Sequence, residues 1–587
     1  MGCSMTSFLV TTDTQVSQTL SAGEWGLVAA NGSILAASGV AVDINGTAAL
    51  MCYGALGSLN ASAVVLKDAR STSMAIGATG STVAGATNLA AISGSFADQF
   101  ALHLSGLVSG GQGLSLAATT PKSSINISNG GTLQGLGFSA GQALALTLNA
   151  TSTAAIANAG LISTAGVGPA IQVWGGGSLT LSNTGNIVNA ATLGVAIAVE
   201  GALTLRNSGR IEGDVSATLS ANIYNAGTVQ GDIKLGNAND TVRVSGVVLG
   251  DIFMGDGRGA FFQTGGRVMG CVYGGAGDDQ YHIDRPDTVI SDMTGGVDTV
   301  FAAISFRLAE GIENLTLSGA LNLTGIGNSG ANVILGAGGD DVLRGLGGDD
   351  VLHGSEGNNR MMGGSGADTL RGGEGKDRME GGPGADTVYV GYGKDKLFGG
   401  SGRDVLRFDD LVSPSGVTAN LATNTASFED QSDRFRFTGF EDVVGTAYSD
   451  TLIGTDMANT LMGGDGADVL TGGGQGDTLF GGKGADHFVF SALSDSMGAE
   501  FDTIQDFEKG SDLITLIAID AVLGGVDDVF RFIGTQAFSN TGPEVRYQLN
   551  TANGTTLIEV HGEGSANADC QIVLNGLYDL TADSFVL

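Results

Sequence analysis

Aspartate recurs in this chain at an interval that suits chemistry. Positions 332, 341, 350, 359, 368, 377, 386, 395 and 404, and then 450, 459, 468, 477 and 486, hold Asp or, three times, Asn. Each is the sixth residue of a nine-residue phrase such as GGSGADTLR (363–371), mostly Gly at positions one, two and four and apolar at position eight. The copies begin at Gly327, Gly336, Gly345, Gly354, Gly363, Gly372, Gly381, Val390 and Gly399, then at Gly445, Gly454, Gly463, Gly472 and Gly481. An isolated copy, GGAGDDQYH, begins at Gly274. Such carboxylates offer hard anionic oxygen, which calcium prefers, and backbone carbonyls complete a shell of about six to eight oxygens. Glycine lets those carbonyls crowd round a point where a Cβ would clash, and it accepts positive φ. The pairs Asp340/Asp341 and Asp349/Asp350 could mimic an acid–base dyad. In this frame the second of each is a cation ligand and the first a turn residue.

The elements that position these groups follow from the same phrase. Positions seven to nine predict a short strand whose apolar eighth residue points inward. Leu343, Leu352, Met361, Leu370, Met379, Val388, Leu397 and Leu406 form that inward column. Two phrases make one coil of 18 residues, so Asp350, Asp368, Asp386 and Asp404 line one edge. Asp341, Asp377 and Asp395 line the other, with Asn359 in the gap. Like charges about 5–10 Å apart repel unless a cation lies between them.

The ligand loops expected in the first run are Gly336, Gly338 and Asp341; Gly345, Gly347 and Asp350; Gly363, Gly364, Gly366 and Asp368; and Gly372, Gly373, Gly375 and Asp377. Gly381, Gly382, Gly384 and Asp386, then Asp395, then Gly399, Gly400, Gly402 and Asp404 complete it. The second run supplies Asp450; Gly463, Gly464, Gly466 and Asp468; Gly472, Gly473 and Asp477; and Gly481, Gly482, Gly484 and Asp486. Asn332, Asn359 and Asn459 remove a charge and should weaken their sites. In GGGQGDTLF the third Gly moves from position four to five, and Val390 replaces a leading Gly.

These phrases resemble the nonapeptide of the RTX, or hemolysin-type calcium-binding repeat, family. The resemblance extends over residues 274–587 and implies a parallel β-roll that binds several calcium ions. It divides the chain into a connector with the first repeat (274–326), a first roll (327–407), a connector (408–444), a second roll (445–489) and a C-terminal β-rich region (490–587). That last region, with FDTIQDFEKGSDLITL and IVLNGLYDLTADSFVL, is similar to the tail of proteins exported by type I secretion, secreted serralysin proteases among them. Asp583 followed by Phe585, Val586 and Leu587 fits the acidic-then-apolar ending of that family. Its signal is C-terminal, in accord with an N-terminus, MGCSMTSFLVTTDTQ, that lacks a basic n-region and an apolar h-region.

The 587 residues include 99 Gly but 6 Pro and 4 Cys, a composition of short strands and tight turns. Residues 1–270 carry 12 acidic and 9 basic side chains, whereas residues 271–587 carry 48 and 17. A chain this acidic repels nucleic acid and anionic lipid. No run of 18 apolar residues predicts a transmembrane helix. Cys3, Cys52, Cys271 and Cys570 are far apart and read as isolated thiols.

The first half has a looser repeat. NGGTL at Asn129, NAGLI at Asn158, NTGNI at Asn183, NSGRI at Asn207 and NAGTV at Asn225 share the form N-x-G-x-apolar. Glycines at 213, 231, 250 and 270 recur at 18 to 20 residues. Short strands at one-coil spacing predict a parallel β-helix over residues 120–273, continuous with the roll, and resemble the passenger repeats of autotransporter adhesins. Residues 1–119 are strand-prone without a clear register. The fold class is therefore all-β: a parallel solenoid, then a calcium-binding β-roll, then the β-rich secretion region.

Secreted β-helices with RTX tails include polysaccharide lyases and epimerases, so catalysis has to be weighed. No Asp or Glu lies between Asp98 and Glu200, and Lys122 is the only cation between Arg70 and Arg206. His103 stands alone; HExxH and GxSxG are absent. No catalytic residue is assigned. The sequence points to a secreted, calcium-binding structural protein of the cell surface or matrix, with the type I machinery, further copies of itself or a cell-surface polysaccharide as partners. The alternative is a calcium-dependent polysaccharide-modifying enzyme.

Overall fold

The computed structural model describes residues 7–10, 14, 18–21, 24–28, 33–36, 41–45, 48–52, 55–58, 63–77, 81–84, 90–136, 141–191, 194–292, 295–410, 415–428, 434–497, 501–519, 529–539, 542–562 and 568–587. Cys3 lies outside them. The chain forms two compact units: Met1–Ala302 with Ala309–Ile312, and Ala303–Leu308 with Glu313–Leu587. Apart from one 3₁₀ turn, Ala582–Ser584, every regular element among the described residues is a strand, and no helix is long and apolar enough to cross a membrane.

The first unit is a parallel β-helix with three strands per coil. Thr153–Asn158, Leu161–Thr164 and Ile171–Trp174 make one coil. Each pairs in parallel with its counterpart in the next: Asn158 with Asn183, Leu161 with Asn186, Ile171 with Ile197. Strand pairing also runs through the part where the sequence shows no register, from Ser7–Val10 to Trp25–Val28, Ala49–Cys52, Val64–Ile76 and Ala90–Leu104. Gln99–Leu104 then pairs with Ser124–Asn129, so the ladder crosses the expected boundary at 119/120 without a break. The expected boundary at 273/274 likewise falls inside this unit.

The N-x-G-x-apolar phrase has a physical role at each letter. The asparagines stack inside the coil: Asn129 Nδ2 donates to Asn158 Oδ1 at 2.6 Å, and Asn158 to Asn183, Asn183 to Asn207 and Asn207 to Asn225 at 2.7 Å. The second Nδ2 proton goes to turn carbonyls, for Asn158 those of Gly160 and Asn186. The glycine is needed for space: a Cβ at Gly160 would strike the Gly131 carbonyl of the preceding coil, and one at Gly185 the Gly160 carbonyl. The apolar residue, Ile162, Ile187, Ile211 or Val229, is fully buried. Coils can lengthen at their loops without disturbing this corner, and the spacing falls from 29 residues at Asn129–Asn158 to 18 at Asn207–Asn225.

Substituting Asn183 by Ala should destabilise the first unit by about 2–4 kcal/mol, because it leaves a buried donor on Asn158 and a buried acceptor on Asn207 unpaired. Asn126 faces solvent two strands away in the same ladder, and Asn126→Ala should stay within about 0.5 kcal/mol of wild type. Thermal unfolding followed by circular dichroism distinguishes the two; equal melting temperatures would remove the ladder's role.

Parallel register also stacks side chains on the outside. Arg206 lies 4.4 Å over Tyr224, Arg243 3.8 Å over Phe262, and the rings of Phe262, His282 and Phe301 follow at 4.4 and 4.6 Å. Each such contact contributes about 0.5–1 kcal/mol. His282 is thus a packing residue, its basicity lowered by burial and by Arg243.

The second unit has two strands per coil. Val333–Leu335, Val351–His353, Thr369–Arg371, Thr387–Tyr389 and Val405–Arg407 pair in sequence on one face. Val342–Gly347, Arg360–Ser365, Arg378–Pro383 and Lys396–Ser401 do so on the other. All eight residues of the inward column are completely buried. The connector between the rolls contributes antiparallel strands, Val417–Asn420, Thr425–Phe428 and Arg434–Thr438. Phe408, Phe428 and Phe435 pack edge to face beneath them. After the second roll, Glu544–Asn550, Thr555–His561 and Cys570–Asn575 form an antiparallel meander. Ile514 pairs with Phe585, which seats the final strand on the same sheet as the roll.

Candidate metal centre

The nonapeptide aspartates form a ladder down each edge of the second unit. Within each run a carboxylate accepts, through Oδ1, the backbone N–H of the equivalent residue 18 positions earlier. On one edge Asn332, Asp350, Asp368 and Asp386 donate in turn to Asp350, Asp368, Asp386 and Asp404 at 2.7–2.8 Å. On the other, Asp341, Asn359 and Asp377 donate to Asn359, Asp377 and Asp395 at 2.7–3.0 Å. In the second roll Asp450 and Asp468 donate to Asp468 and Asp486, and Asn459 to Asp477.

Oδ1 is therefore committed to the backbone, whereas Oδ2 of Asp350, Asp368, Asp377, Asp386, Asp404, Asp468, Asp477, Asp486 and Asp502 is buried without a hydrogen-bond partner. An orphaned buried carboxylate oxygen is costly. Its surroundings show what completes it. A Cβ at Gly345 would collide with Asp350 Oδ2 and lie 2.6 Å from the Gly363 carbonyl oxygen one coil on. Gly381 stands in the same relation to Asp386 and Gly399, and Gly463 to Asp468 and Gly481. Acceptors from successive coils thus converge on a space that the leading glycine leaves open and that no donor enters. This donor set fits a hard divalent cation. Bound there, calcium would supply the positive charge that lets these carboxylates stay ionised inside the stack. The leading glycine, the aspartate and the next coil's glycine carbonyl are the groups that would hold it.

Turn geometry refines the expected loops. Position four takes positive φ in most copies, as at Gly384 (φ 150°). In GAGGDD and GLGGDD that conformation falls on Gly339 and Gly348 rather than on Gly338 and Gly347. Gln475 adopts it without being glycine (φ 65°), so the shifted glycine of GGGQGDTLF does not shift the turn.

The expected sites differ among themselves. Both oxygens of Asp341 accept backbone N–H groups, from Leu323 and Ala337. Asp450 accepts from Val417, Thr446 and the Thr446 hydroxyl. Donors already serve these two carboxylates, each near the start of its run. Asn359 keeps the ladder bond but turns its Nδ2 toward the Gly354 space and donates to the Gly357 carbonyl, so a donor stands where its neighbours offer oxygen.

Two ladder members escaped the sequence reading. Asp477 N–H donates to Asp502 Oδ1 at 2.8 Å and Asp486 N–H to Asp512 Oδ1 at 3.0 Å, so both edges continue past the last nonapeptide. Their signal was the D-x-apolar ending in FDTI and SDLI, stripped of the glycines that frame it elsewhere.

Burial and neighbouring carboxylates raise these acids. Asp350, Asp377, Asp468 and Asp477 are pushed up to about 7, Asp386 and Asp404 to about 6 and Asp502 to about 8. In each, burial acts first, opposed by the ladder N–H. The folded pKa lies above the unfolded value of 3.8, so the folded state binds more protons. Without a cation, stability should be fullest below about pH 4 and be lost as pH rises through 6 to 8. Circular dichroism in chelator should show most β structure in mild acid and least in mild alkali; the reverse order would contradict this electrostatic account.

His103, on the strand Ala90–Leu104, is exposed and lies 3.5 Å from the Ser105 hydroxyl. Among the described residues Cys52, Cys271 and Cys570 form no disulfide.

A two-stranded coil with glycine turns, an inward apolar column and carboxylate ladders on both edges defines a cation-binding parallel β-roll. The family described as RTX calcium-binding nonapeptide repeat (4 copies) matches residues 326–361, 353–388, 371–406 and 453–488. The chain carries RTX calcium-binding repeats. No curated protein matches it. Among solved structures it is similar to the extracellular lipase LipA from Serratia marcescens, at 16% identity over 50% of this chain and 45% of that one, with a TM-score of 0.14. The chain thus spans less than half the length of that lipase.

Proposed function

We propose that the protein is a secreted calcium-binding structural protein, a surface-layer, fibre or adhesin subunit at the cell surface or in the extracellular matrix. The observation that supports this is the pair of edge ladders, whose buried Oδ2 atoms lack partners until a cation arrives. Extracellular calcium modules work at about 10⁻⁴–10⁻³ M, far above cytosolic levels. RTX repeats accordingly suit a chain that stays unfolded inside the cell, passes through the type I machinery and folds outside. The first unit would make the lateral contacts: residues 123–199 carry no charge, so little repulsion keeps copies, or a neutral polysaccharide, apart.

Light scattering and electron microscopy of full-length protein test this reading. Monomers in chelator and ordered sheets or fibres at millimolar calcium are expected. Monomers under both conditions, together with release of fragments from an added polysaccharide, would replace it with the enzyme reading.

A further inference from the structure

Position seven of the nonapeptide changes character on one sheet of the first roll. It is Val, Thr or His in the other copies of the two runs, but Arg360, Arg378 and Lys396 in the copies that begin at Gly354, Gly372 and Val390. Parallel register sets these three side by side, Arg360 next to Arg378 and Arg378 next to Lys396, and the row continues to Arg436 in the connector. The residues that follow them, Met361, Met379, Leu397 and Phe437, are buried, so the four cations lie on the outer face of the sheet.

Neighbouring strands lie about 4.8 Å apart, and like charges set opposite one another at that spacing are destabilising. The chain itself does little to offset them. Arg360, Lys396 and Arg436 form no ion pair among the described residues. Arg378 meets Glu380 at 3.4 Å, but their side chains are 42% and 45% exposed and such a contact contributes little. The Arg378 guanidinium also lies 4.2 Å over the Phe398 ring, which steadies it on the face. Lys376 and Lys394, on the turns two residues earlier, line an open trough beside the row with Glu374 and Tyr392. The wider charge distribution points the same way. Residues 327–407 hold 9 of the 17 basic side chains of residues 271–587, and seven of their 12 acidic side chains are the buried ladder aspartates. With calcium on the ladders, the outside of this roll presents 9 basic groups against 5 acidic ones, whereas residues 445–489 hold 1 basic and 6 acidic.

We propose that the row Arg360–Arg378–Lys396–Arg436 on the calcium-loaded first roll binds a linear acidic polysaccharide lying along the roll axis. A chain of uronic acids presents one carboxylate per sugar at a rise close to the strand spacing, so successive carboxylates meet successive cations, and each arginine can grip its carboxylate with two N–H groups. Double-stranded DNA carries one charge per about 1.7 Å, far denser than the row, and a chain of net charge −34 repels it. The proposal rests on calcium filling the ladders, as inferred above. It gives the second unit a partner that the uncharged stretch of the first has no charge to attract.

The test is calorimetric titration of the full-length protein at millimolar calcium with a cellouronate octasaccharide, with the uncharged cello-oligosaccharide of equal length and a short DNA duplex as comparisons. Circular dichroism of the same samples reports whether calcium has folded the roll. The cellouronate should bind, more weakly as salt rises, and the uncharged sugar should not. The double variant Arg360→Thr, Lys396→Thr installs the residue that other copies carry at position seven; it should weaken cellouronate binding about tenfold or more and leave the calcium midpoint of folding near that of wild type. Lys483→Thr, in the second roll, should leave binding unchanged. Arg360→Thr alone should weaken binding less and decides the matter if the double variant does not fold. A calcium-folded wild type that ignores cellouronate, or a folded double variant that binds it like wild type, would overturn the row and leave the calcium reading intact. Equal binding of the uncharged sugar, or tighter binding of DNA through the same residues, would overturn the choice of partner. A roll indifferent to calcium would overturn both readings.

Discussion

In chelator, the β structure of the second unit should be largely lost, and it should return cooperatively as calcium rises toward millimolar. Residues 271–587 carry 48 acidic against 17 basic side chains, and the ladder acids are buried one coil apart. At tenfold excess over its dissociation constant, each bound ion adds about 1.4 kcal/mol to the folded state. Several such ions reach the total stability of an ordinary domain, about 5–15 kcal/mol. The first unit should respond far less. Its core is an asparagine ladder and buried aliphatic side chains, and residues 1–270 carry 12 acidic against 9 basic groups. Far-ultraviolet circular dichroism with segment-resolved exchange provides the measurement. A spectrum unchanged between chelator and millimolar calcium would refute the dependence.

Replacing Asp386 by Ala should raise the calcium midpoint of folding about tenfold or more. The change removes the acceptor for the Asp368 N–H and empties the space bounded by Gly381 and the Gly399 carbonyl. A buried amide left unpaired costs about 1–3 kcal/mol, and the lost ligand adds to that. Asp386→Asn separates the contributions, since it keeps the acceptor and removes only the charge, as Asn359 does naturally. It should fall between wild type and Ala. Asp341→Asn should do less than Asp386→Asn, because backbone donors already serve both oxygens of Asp341. Equal midpoints for Asp386→Ala and wild type would show that the edge ladder does not bind the ions that fold the roll.

The roll was legible in the sequence because its coil length does not vary: inward column, edge assignment and two-phrase coil all follow from one spacing. The β-helix from Asn129 onward was legible through its Asn and Gly corner, where the side chain and the lack of one are both required. The earlier coils were not. Between Ser7 and Leu104 successive strands pair at uneven intervals. Asp502 and Asp512 were missed for a related reason: they keep the ladder bond, which is local to the carboxylate, but lose the glycine frame that makes a nonapeptide visible.

The alternation of faces in the second unit gives copy number a parity. Strands such as Arg360–Ser365 and Thr369–Arg371, only nine residues apart in phase, belong to opposite sheets. Deleting two adjacent phrases would join coil to coil with every neighbour of the same kind, and the roll would simply be shorter. Deleting one would exchange the two sheets for everything downstream, so the antiparallel strands at Val417–Phe428, now on the sheet of Lys396–Ser401, would be delivered to the other side. Insertions and deletions of whole phrases can therefore lengthen or shorten this half of the molecule only in steps of a full coil.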